Sequence, residues 1–261
     1  MKEKNSNNTD NHAPLLRTSY FRFYEELNDF LPEEWKKISF PFLFTGTPSV
    51  KNTIEAIGIP HAEIDLILVN GESVDFDFLL KGGENISVYP VFETFDILPV
   101  TRLRAQPLRK IQFVVDVNLG KLARKLRLLG FDTLFQNNFE DGQIVEIAAR
   151  EKRIILTRDK GVLKHSRVTH GYWLRSNNPK LQLQEVIKRF QLQHHFQPFS
   201  RCSNCNGILQ AVKKSELNGR VPNDTIQIFD AFWECSGCKN IYWEGSHFDR
   251  INQWLDKLNG K

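Results

Sequence analysis

The sequence predicts an α+β unit of β-grasp pattern, then an α/β unit whose parallel sheet is covered by helices on both faces, then a small cysteine-bearing end. Three observations predict this order. Two strands, one helix and further strands fill the first ninety residues, a βαβα alternation starts at Phe113, and two Cys-x-x-Cys pairs lie beyond residue 200. The chain has 261 residues, enough for about two domains of roughly 100–200 residues and a sizeable core.

A polar tail of about 14 residues comes first. The aromatic run Tyr20 to Tyr24 and the alternating run Ile38 to Phe44 predict two strands, joined by a loop over Pro32 to Trp35. Thr47-Pro48-Ser49 opens a helix carrying Val50, Ile54 and Ile57 on one face, and Gly58 stops it. Asp65 to Val69 reads as a buried strand, Asn70-Gly71 as a turn, and Val74 to Phe76 as the hairpin partner. Gly82 to Asn85 turns into a strand over Ile86 to Val91. The Gly82-Gly83 pair lies inside the chain and reads as a turn.

Residues 99–110 hold prolines and arginines and read as a linker. Phe113 to Val115 is an apolar strand ending at Asp116. The segment Leu119 to Leu129 places Leu119, Leu122, Ala123, Leu126 and Leu129 on one helical face and Lys121, Arg124 and Lys125 on another, closed by Gly130. Strands follow at Thr133 to Phe135, Ile154 to Thr157 and Gly171 to Leu174. Helices are predicted over Gly142 to Arg150 and Leu181 to Gln193. Such alternation implies a parallel sheet between helical layers. Near the end, Thr225 to Phe232 is predicted as a strand and Asp249 to Leu258 as a helix.

Composition excludes several classes. The 11% aromatic content argues against a disordered chain, no stretch has the roughly 18 apolar residues of a membrane helix, and Met1 to Asn11 lacks the apolar core of a secretory signal. A cytoplasmic protein is expected. The net charge of +4 conceals a partition: residues 1–105 carry −6, residues 106–200 carry +9 and residues 201–261 carry +1. A basic middle stretch suits a polyanionic ligand.

Cys202, Cys205, Cys235 and Cys238 form two Cys-x-x-Cys knuckles. Two residues between thiolates let one turn aim both sulfurs at one ion, and two knuckles close a tetrahedral S₄ site that suits a structural Zn²⁺. Gly207 and Gly237 allow the tight backbone. His247 is a weak fifth candidate, more readily a surface or nucleic-acid contact than a ligand.

A second constellation is acidic. Asp116 follows the strand Phe113 to Val115, Asp159 follows Ile154 to Thr157, and Asp141 starts the helix after another strand. Residues just beyond the carboxyl ends of parallel strands line a ligand crevice. Converging carboxylates repel unless a cation neutralises them, and oxygen donors select Mg²⁺ or Mn²⁺, which activates water and stabilises charge on a scissile phosphate. Lys121, Arg124, Lys125 and Arg127, directly after Asp116, suit a phosphodiester backbone. The same residues also fit bland roles: two helix caps, a turn and a solvated basic face. Asp116-Val117-Asn118 lacks the second acid of Asp-x-Asp phosphatases, and no Gly-rich nucleotide loop occurs.

The run from Phe113 to Ser176, with Val-Val-Asp116-Val-Asn-Leu-Gly-Lys-Leu-Ala-Arg-Lys-Leu-Arg, Leu-Gly130-Phe-Asp-Thr and Ile-Leu-Thr-Arg158-Asp159, closely resembles the Mut-seven C-terminal RNase domain, a PIN-like nuclease family. Arg201 to Gly207, Phe232 to Cys238 and Tyr242 to His247 resemble that family's zinc ribbon, and Arg17 to Glu93 resembles the ubiquitin-like β-grasp domain that often precedes it. The resemblance implies domains over 15–98 (ubiquitin-like), 111–198 (PIN-like) and 199–261 (zinc ribbon). It implies RNA hydrolysis at an acidic metal site, with Asp116, Asp141 and Asp159 as metal-binding catalytic acids. Glu140 is the nearest fourth acid, and Asn118, Thr157 and Arg158 are auxiliary positions. RNA is the expected partner, with a protein partner for the β-grasp domain. The alternatives are a non-catalytic RNA-binding protein and a β-grasp adaptor.

Overall fold

The computed structural model describes residues 15–90, 101–103, 111–217 and 219–245, in two compact units, Met1–Gln106 and Pro107–Lys261. The expected tail, most of the linker, the helix from Asp249 and His247 lie outside the described residues.

In the first unit, β1 (Leu16–Phe23), β2 (Phe40–Thr45), β3 (Ile64–Val69), β4 (Glu72–Ser73) and β5 (Asn85–Pro90) form one sheet in the order β2-β1-β5-β3-β4, with the helix α1 (Val50–Ile57) between β2 and β3. β1 and β5 are parallel and the other pairs antiparallel, which is the ubiquitin-like arrangement. Alternation in β1 buries Ser19, Phe21 and Phe23 and leaves Leu16, Tyr20 and Arg22 exposed. Ser49 caps α1 by accepting the Asn52 N–H at 3.2 Å, and Gly58 ends it at φ +121°. The Pro32 to Trp35 loop contains a 3-10 turn, Glu33–Trp35, whose Trp35 ring stacks on Phe40. One expectation is corrected. The hairpin partner of β3 is Glu72–Ser73 rather than Val74 to Phe76, because Asn70 (φ +51°) and Gly71 (φ +89°) reverse the chain within two residues. Val74 then adds a single further bond, its N–H to the Ile67 carbonyl.

The second unit holds a four-stranded parallel sheet, β6 (Gln112–Val115), β7 (Asp132–Leu134), β8 (Ile154–Thr157) and β9 (Gly171–Trp173), in the order β7-β6-β8-β9. The helices are α2 (Gly120–Leu128), α3 (Asp141–Glu151), the one-turn α4 (Lys160–Leu163) and α5 (Pro179–Arg189). α2 and α5 pack together, and their Leu122, Leu126, Leu183 and Val186 meet Phe113, Val115, Ile154 and Leu156 of the sheet in one core. Val114 and Ile155 alternate to the opposite face, where α3 lies against β6 and β8 and buries Ile144, Val145 and Ala148. Pro179 at the first helical position fixes the start of α5 behind the Asn178 cap, and Gln191 at φ +46° ends it short of Gln193.

The chain then forms a three-stranded antiparallel sheet, β10 (Leu209–Ala211), β11 (Phe232–Cys235) and β12 (Ile241–Trp243). The predicted strand Thr225 to Phe232 is wrong over most of its length: Asn223–Ile228 is a helix, α6. Pro222 presets the dihedral that opens it, and the chain needs only Ile226 and Phe229, three apart, against Leu217, Val221 and Phe232. Thr225 and Ile226 are β-branched, and tertiary packing overrides their strand preference.

A polar seam joins this sheet to β7. Asn206 accepts the Thr133 N–H through Oδ1 (3.0 Å) and donates through Nδ2 to Asp132 (2.8 Å). Asp132 also takes ion pairs from Arg153 (2.8 Å) and Arg201 (3.0 Å). Arg127, only 4% exposed, donates to the Thr133 carbonyl (2.8 Å) and the Asn204 carbonyl (2.6 Å). Burial alone would raise the Asp132 carboxyl, but bonds from Arg153 and Asn206 outweigh it and hold it below the usual range.

Gly130, after α2, has φ +96°, and a methyl there would meet the Gln197 carbonyl oxygen at 2.3 Å. Strain and clash act together, so Gly130→Ala is expected to cost about 2–4 kcal/mol, read as a lowered urea midpoint. A midpoint equal to wild type would contradict it.

Candidate active site and cysteine cluster

The order β7-β6-β8 makes the chain leave β6 in one direction and return on its other side, so the carboxyl ends of β6 and β8 form a switch point. Asp116 follows β6 directly and Thr157 ends β8. Asp116 is 7% exposed, and its Oδ2 accepts the Thr157 hydroxyl at 2.8 Å. The same hydroxyl oxygen accepts the Asp159 N–H at 2.9 Å. Thr157 thus spends its single proton on Asp116 and a lone pair on Asp159, locking the two strand ends together. Asp116 Oδ1 has no hydrogen-bond partner among the described residues.

Asp159 is exposed and caps α4, its Oδ1 accepting the Gly161 N–H at 2.6 Å. Asp141 is the first residue of α3, but Glu140 fills the cap position in a capping box with Gln143, whose side chain accepts the Glu140 N–H at 2.9 Å. Asp141 is therefore spared that duty, and Glu140 is committed to it. The Asp141 carboxyl is raised, first by partial burial and then by the charges of Asp159 and Asp116. The three predicted acids share one electrostatic field. They are not drawn as close as the cysteines: among the described residues the four sulfurs form the group whose ligand atoms all lie within 4.8 Å of one another.

Lys121 and Arg124 are exposed on α2 and Lys125 is half-buried. Arg127 is corrected: it belongs to the polar seam rather than to a basic face. It lies four residues after Ala123 and so shares the buried stripe of α2. Arg158 is exposed between β8 and α4, and Asn118 is exposed in the turn Val117–Leu119. Sequence reasoning missed a cationic–aromatic group beside Asp159. Lys160 Nζ sits 4.1 Å from the Trp173 ring centre, the Arg175 guanidinium stacks over Tyr172 and Trp173, and the Trp173 indole donates to the Arg158 carbonyl at 3.1 Å. The signal was present, since Arg175 lies just past the carboxyl end of β9.

The knuckles obey one hydrogen-bond rule. Cys202 N–H donates to the Gly207 carbonyl and Cys235 N–H to the Asn240 carbonyl, five residues on. Asn206 and Lys239 N–H donate back to the Cys202 and Cys235 carbonyls. The left-handed positions are Asn206 (φ +70°) and Lys239 (φ +63°), not the glycines. Gly207 is required for space, because a methyl there would meet Cys235 Sγ at 2.8 Å. Cys202 and Cys238 sulfurs are 3.5 Å apart, and Cys205 and Cys235 sulfurs 3.4 Å. A disulfide needs about 2.05 Å, whereas a tetrahedron on Zn–S bonds of about 2.3 Å has edges near 3.8 Å. The set can therefore hold a metal ion such as zinc. Tyr242 Oη lies 3.0 Å from Cys202 Sγ as an outer hydrogen-bond partner.

Profiles of known families decide what the chain is. The Mut7-C RNAse domain profile matches residues 111–255, more than half of the chain, and the Mut7-C ubiquitin profile matches residues 17–96. The chain belongs to the Mut7-C RNAse family. The human exonuclease mut-7 homolog is 38% identical to it over 106 residues, which is 38% of this chain and 12% of that protein. The chain thus matches a small part of its curated relative. No solved structure matches it. For a Mut7-C RNAse chain the first unit is the ubiquitin-like domain, the second carries the nuclease domain, and membership supports a nuclease function. Among the described residues no helix is long and apolar enough to cross a membrane.

Two outcomes follow from this geometry. Gly207→Ala should weaken uptake of Zn²⁺ or Co²⁺ at least about tenfold, the loss typical of a disturbed ligand shell, in a competitive chelator titration; unchanged affinity would refute the spatial argument. A raised Asp141 carboxyl means that its ionised form is penalised in the folded state. The penalty is present above its folded value and disappears as pH falls through it. Asp141→Asn should therefore raise thermal stability at pH 7 by less than about 1 kcal/mol, given the carboxylate's exposure, with the gain vanishing in a second melt at a pH below the ordinary aspartate range. An equal gain at both pH values would contradict the shared field.

Proposed function

We propose that this chain is a metal-dependent ribonuclease, with a PIN-like catalytic domain over residues 111–198, a zinc ribbon over 199–261 and a ubiquitin-like protein-docking domain over 15–98. The observation that carries the reading is the Asp116–Thr157–Asp159 link at the β6–β8 switch point, with Asp141 titrating under the charges of both acids. Three anionic groups at one strand edge, one with an unbonded carboxylate oxygen, fit an oxygen-preferring Mg²⁺ or Mn²⁺ ion. Such an ion, when bound, supplies an activated water and neutralises charge on the phosphate.

The chain's own groups do the rest. Thr157 orients the Asp116 carboxylate by donating its hydroxyl proton to Oδ2. Asp159, fixed by its cap and by Thr157, and Asp141, at the start of α3, face the same site. Arg158, Lys121 and Arg124 offer charge to backbone phosphates on both sides of the acids. The Cys₄ ion is structural, because four thiolates leave it no open position. Reduced thiols suit a cytoplasmic setting. Exposed Leu16, Tyr20 and Leu43 on the outer face of the first sheet suit a protein partner.

A second reading is a non-catalytic RNA-binding protein. It is favoured by one observation: the Asp159 carboxylate is already used as a helix cap. End-labelled RNA incubated with Mn²⁺ or Mg²⁺ separates the two. Asp116→Asn and Asp159→Asn are expected to slow cleavage on the order of 10²–10⁴-fold with melting temperature and RNA affinity nearly unchanged. Wild-type protein that binds RNA yet leaves it full length in either ion would favour the second reading.

A further inference from the structure

Between α2 and the C-terminal sheet lies a cleft of about 420 Å³, lined among others by Arg124, Asn204, Arg220, Val221, Asn240 and Trp243. That is within the range of about 300–1,000 Å³ in which small-ligand sites fall. Its chemistry is divided. Its accessible lining is mostly polar, with Arg124, Asn204, Arg220 and Asn240 exposed, and half-buried Trp243 and buried Val221 supply its smaller apolar part. Both charged groups that line it are cationic. Arg220 is held by Glu234 at 2.7 Å and the Lys239 carbonyl at 3.1 Å. Arg124 has no ion pair or hydrogen bond among the described residues, so its five N–H donors are available. Asn204 and Asn240 bring side-chain amides that both donate and accept.

An inorganic anion would use Arg124 and ignore the indole, and an acidic peptide would use the cations and leave the indole of Trp243 without a flat partner. A nucleotide uses all three features: a flat base against Trp243, base-edge groups on the amides and a phosphate on Arg124. The cleft also lies along the path from the acids. α2 begins four residues after Asp116, and the rise from Gly120 to Arg124 is about 6 Å, with Lys121 exposed between them. We infer that the cleft between α2 and the C-terminal sheet holds one nucleotide of a single-stranded RNA and so fixes the direction in which the strand leaves the acidic site. This deepens the ribonuclease reading and rests on it for the substrate class.

The test uses the full chain with its metal-loaded cysteine cluster, a fluorescein-labelled uridine 10-mer and no added Mg²⁺ or Mn²⁺, read by fluorescence anisotropy. Arg124→Ala removes a side chain without an internal partner and is expected to weaken binding about tenfold and to lower the slope of affinity against salt by about one contact. Trp243→Phe keeps an aromatic ring in place, and it is expected to weaken binding about threefold and to reduce the quenching of tryptophan emission by the RNA. Lys180→Ala, at an exposed position in the first turn of α5, serves as the control and should bind as wild type. Wild-type affinity in both Arg124→Ala and Trp243→Phe would overturn the cleft assignment even where wild-type protein cleaves RNA. Arg124- and Trp243-dependent binding by a protein that cleaves nothing would support the cleft and remove the ribonuclease reading instead.

Discussion

The second unit is organised by the seam in which Asp132, Thr133 and Arg127 meet Asn206 and the Asn204 carbonyl. β7 is an edge strand, and an edge presents unpaired N–H and C=O groups that must be satisfied or shielded. Here the first knuckle supplies the partner, with Asn206 acting as a one-residue extension of the ladder. The ions are buried only because each is matched: Asp132 faces Arg153 and Arg201, while Arg127 faces carbonyl oxygens. Removing one member of such a set costs about 3–5 kcal/mol, since it strands a partner away from water. The seam thus forces the cysteine-bearing sheet to one position on the α/β core, and the cleft beside α2 exists because of that position.

The acidic site follows a second constraint, the reversal of strand order at β6. A parallel sheet brings its chemistry to one edge, and the reversal opens a gap there that helices do not cover. Thr157 ties the Asp116 carboxylate to the Asp159 backbone N–H, and the Asp159 carboxylate is fixed in turn by the Gly161 N–H. A serine could make the same bonds with more rotamer freedom. The β-branched residue, fully buried at the end of β8, holds its hydroxyl in one orientation.

Much of this was readable in the sequence because the signals were periodic or local. The strands β1, β3, β6, β8 and β9 and the helices α1, α2 and α3 announce themselves through apolar spacing and through caps such as Ser49 and Gly58. The two Cys-x-x-Cys pairs declare a common site. What could not be read depends on partners distant in sequence. Arg127 looks like any surface arginine until carbonyls 6 and 77 residues away take its protons. Asn223–Ile228 reads as a strand until the small core around Leu217 and Phe232 favours a helical turn. The role of Gly207 came from a sulfur 28 residues further on, not from its own backbone angle. The charge partition changes meaning for the same reason: part of the +9 in the middle stretch is spent internally, by Arg127 in the seam and Arg153 on Asp132 and Glu151. Lys121, Arg124 and Arg158 are among the exposed cations that remain for the surface field.

The two knuckles share one backbone pattern yet differ in what supports them. Asn206 of the first is anchored to the edge of the parallel sheet, whereas the second is held by the small sheet itself, Cys235 pairing with Leu209 of β10 and the Ser236 N–H donating to the Ile208 carbonyl. The α/β core thus templates the first knuckle, and strand pairing carries the second to it, so that the four sulfurs meet within 4.8 Å. An ion held by both knuckles would therefore fasten the small sheet to the edge of β7 through the first knuckle, a tie between two cores that share no strand pairing.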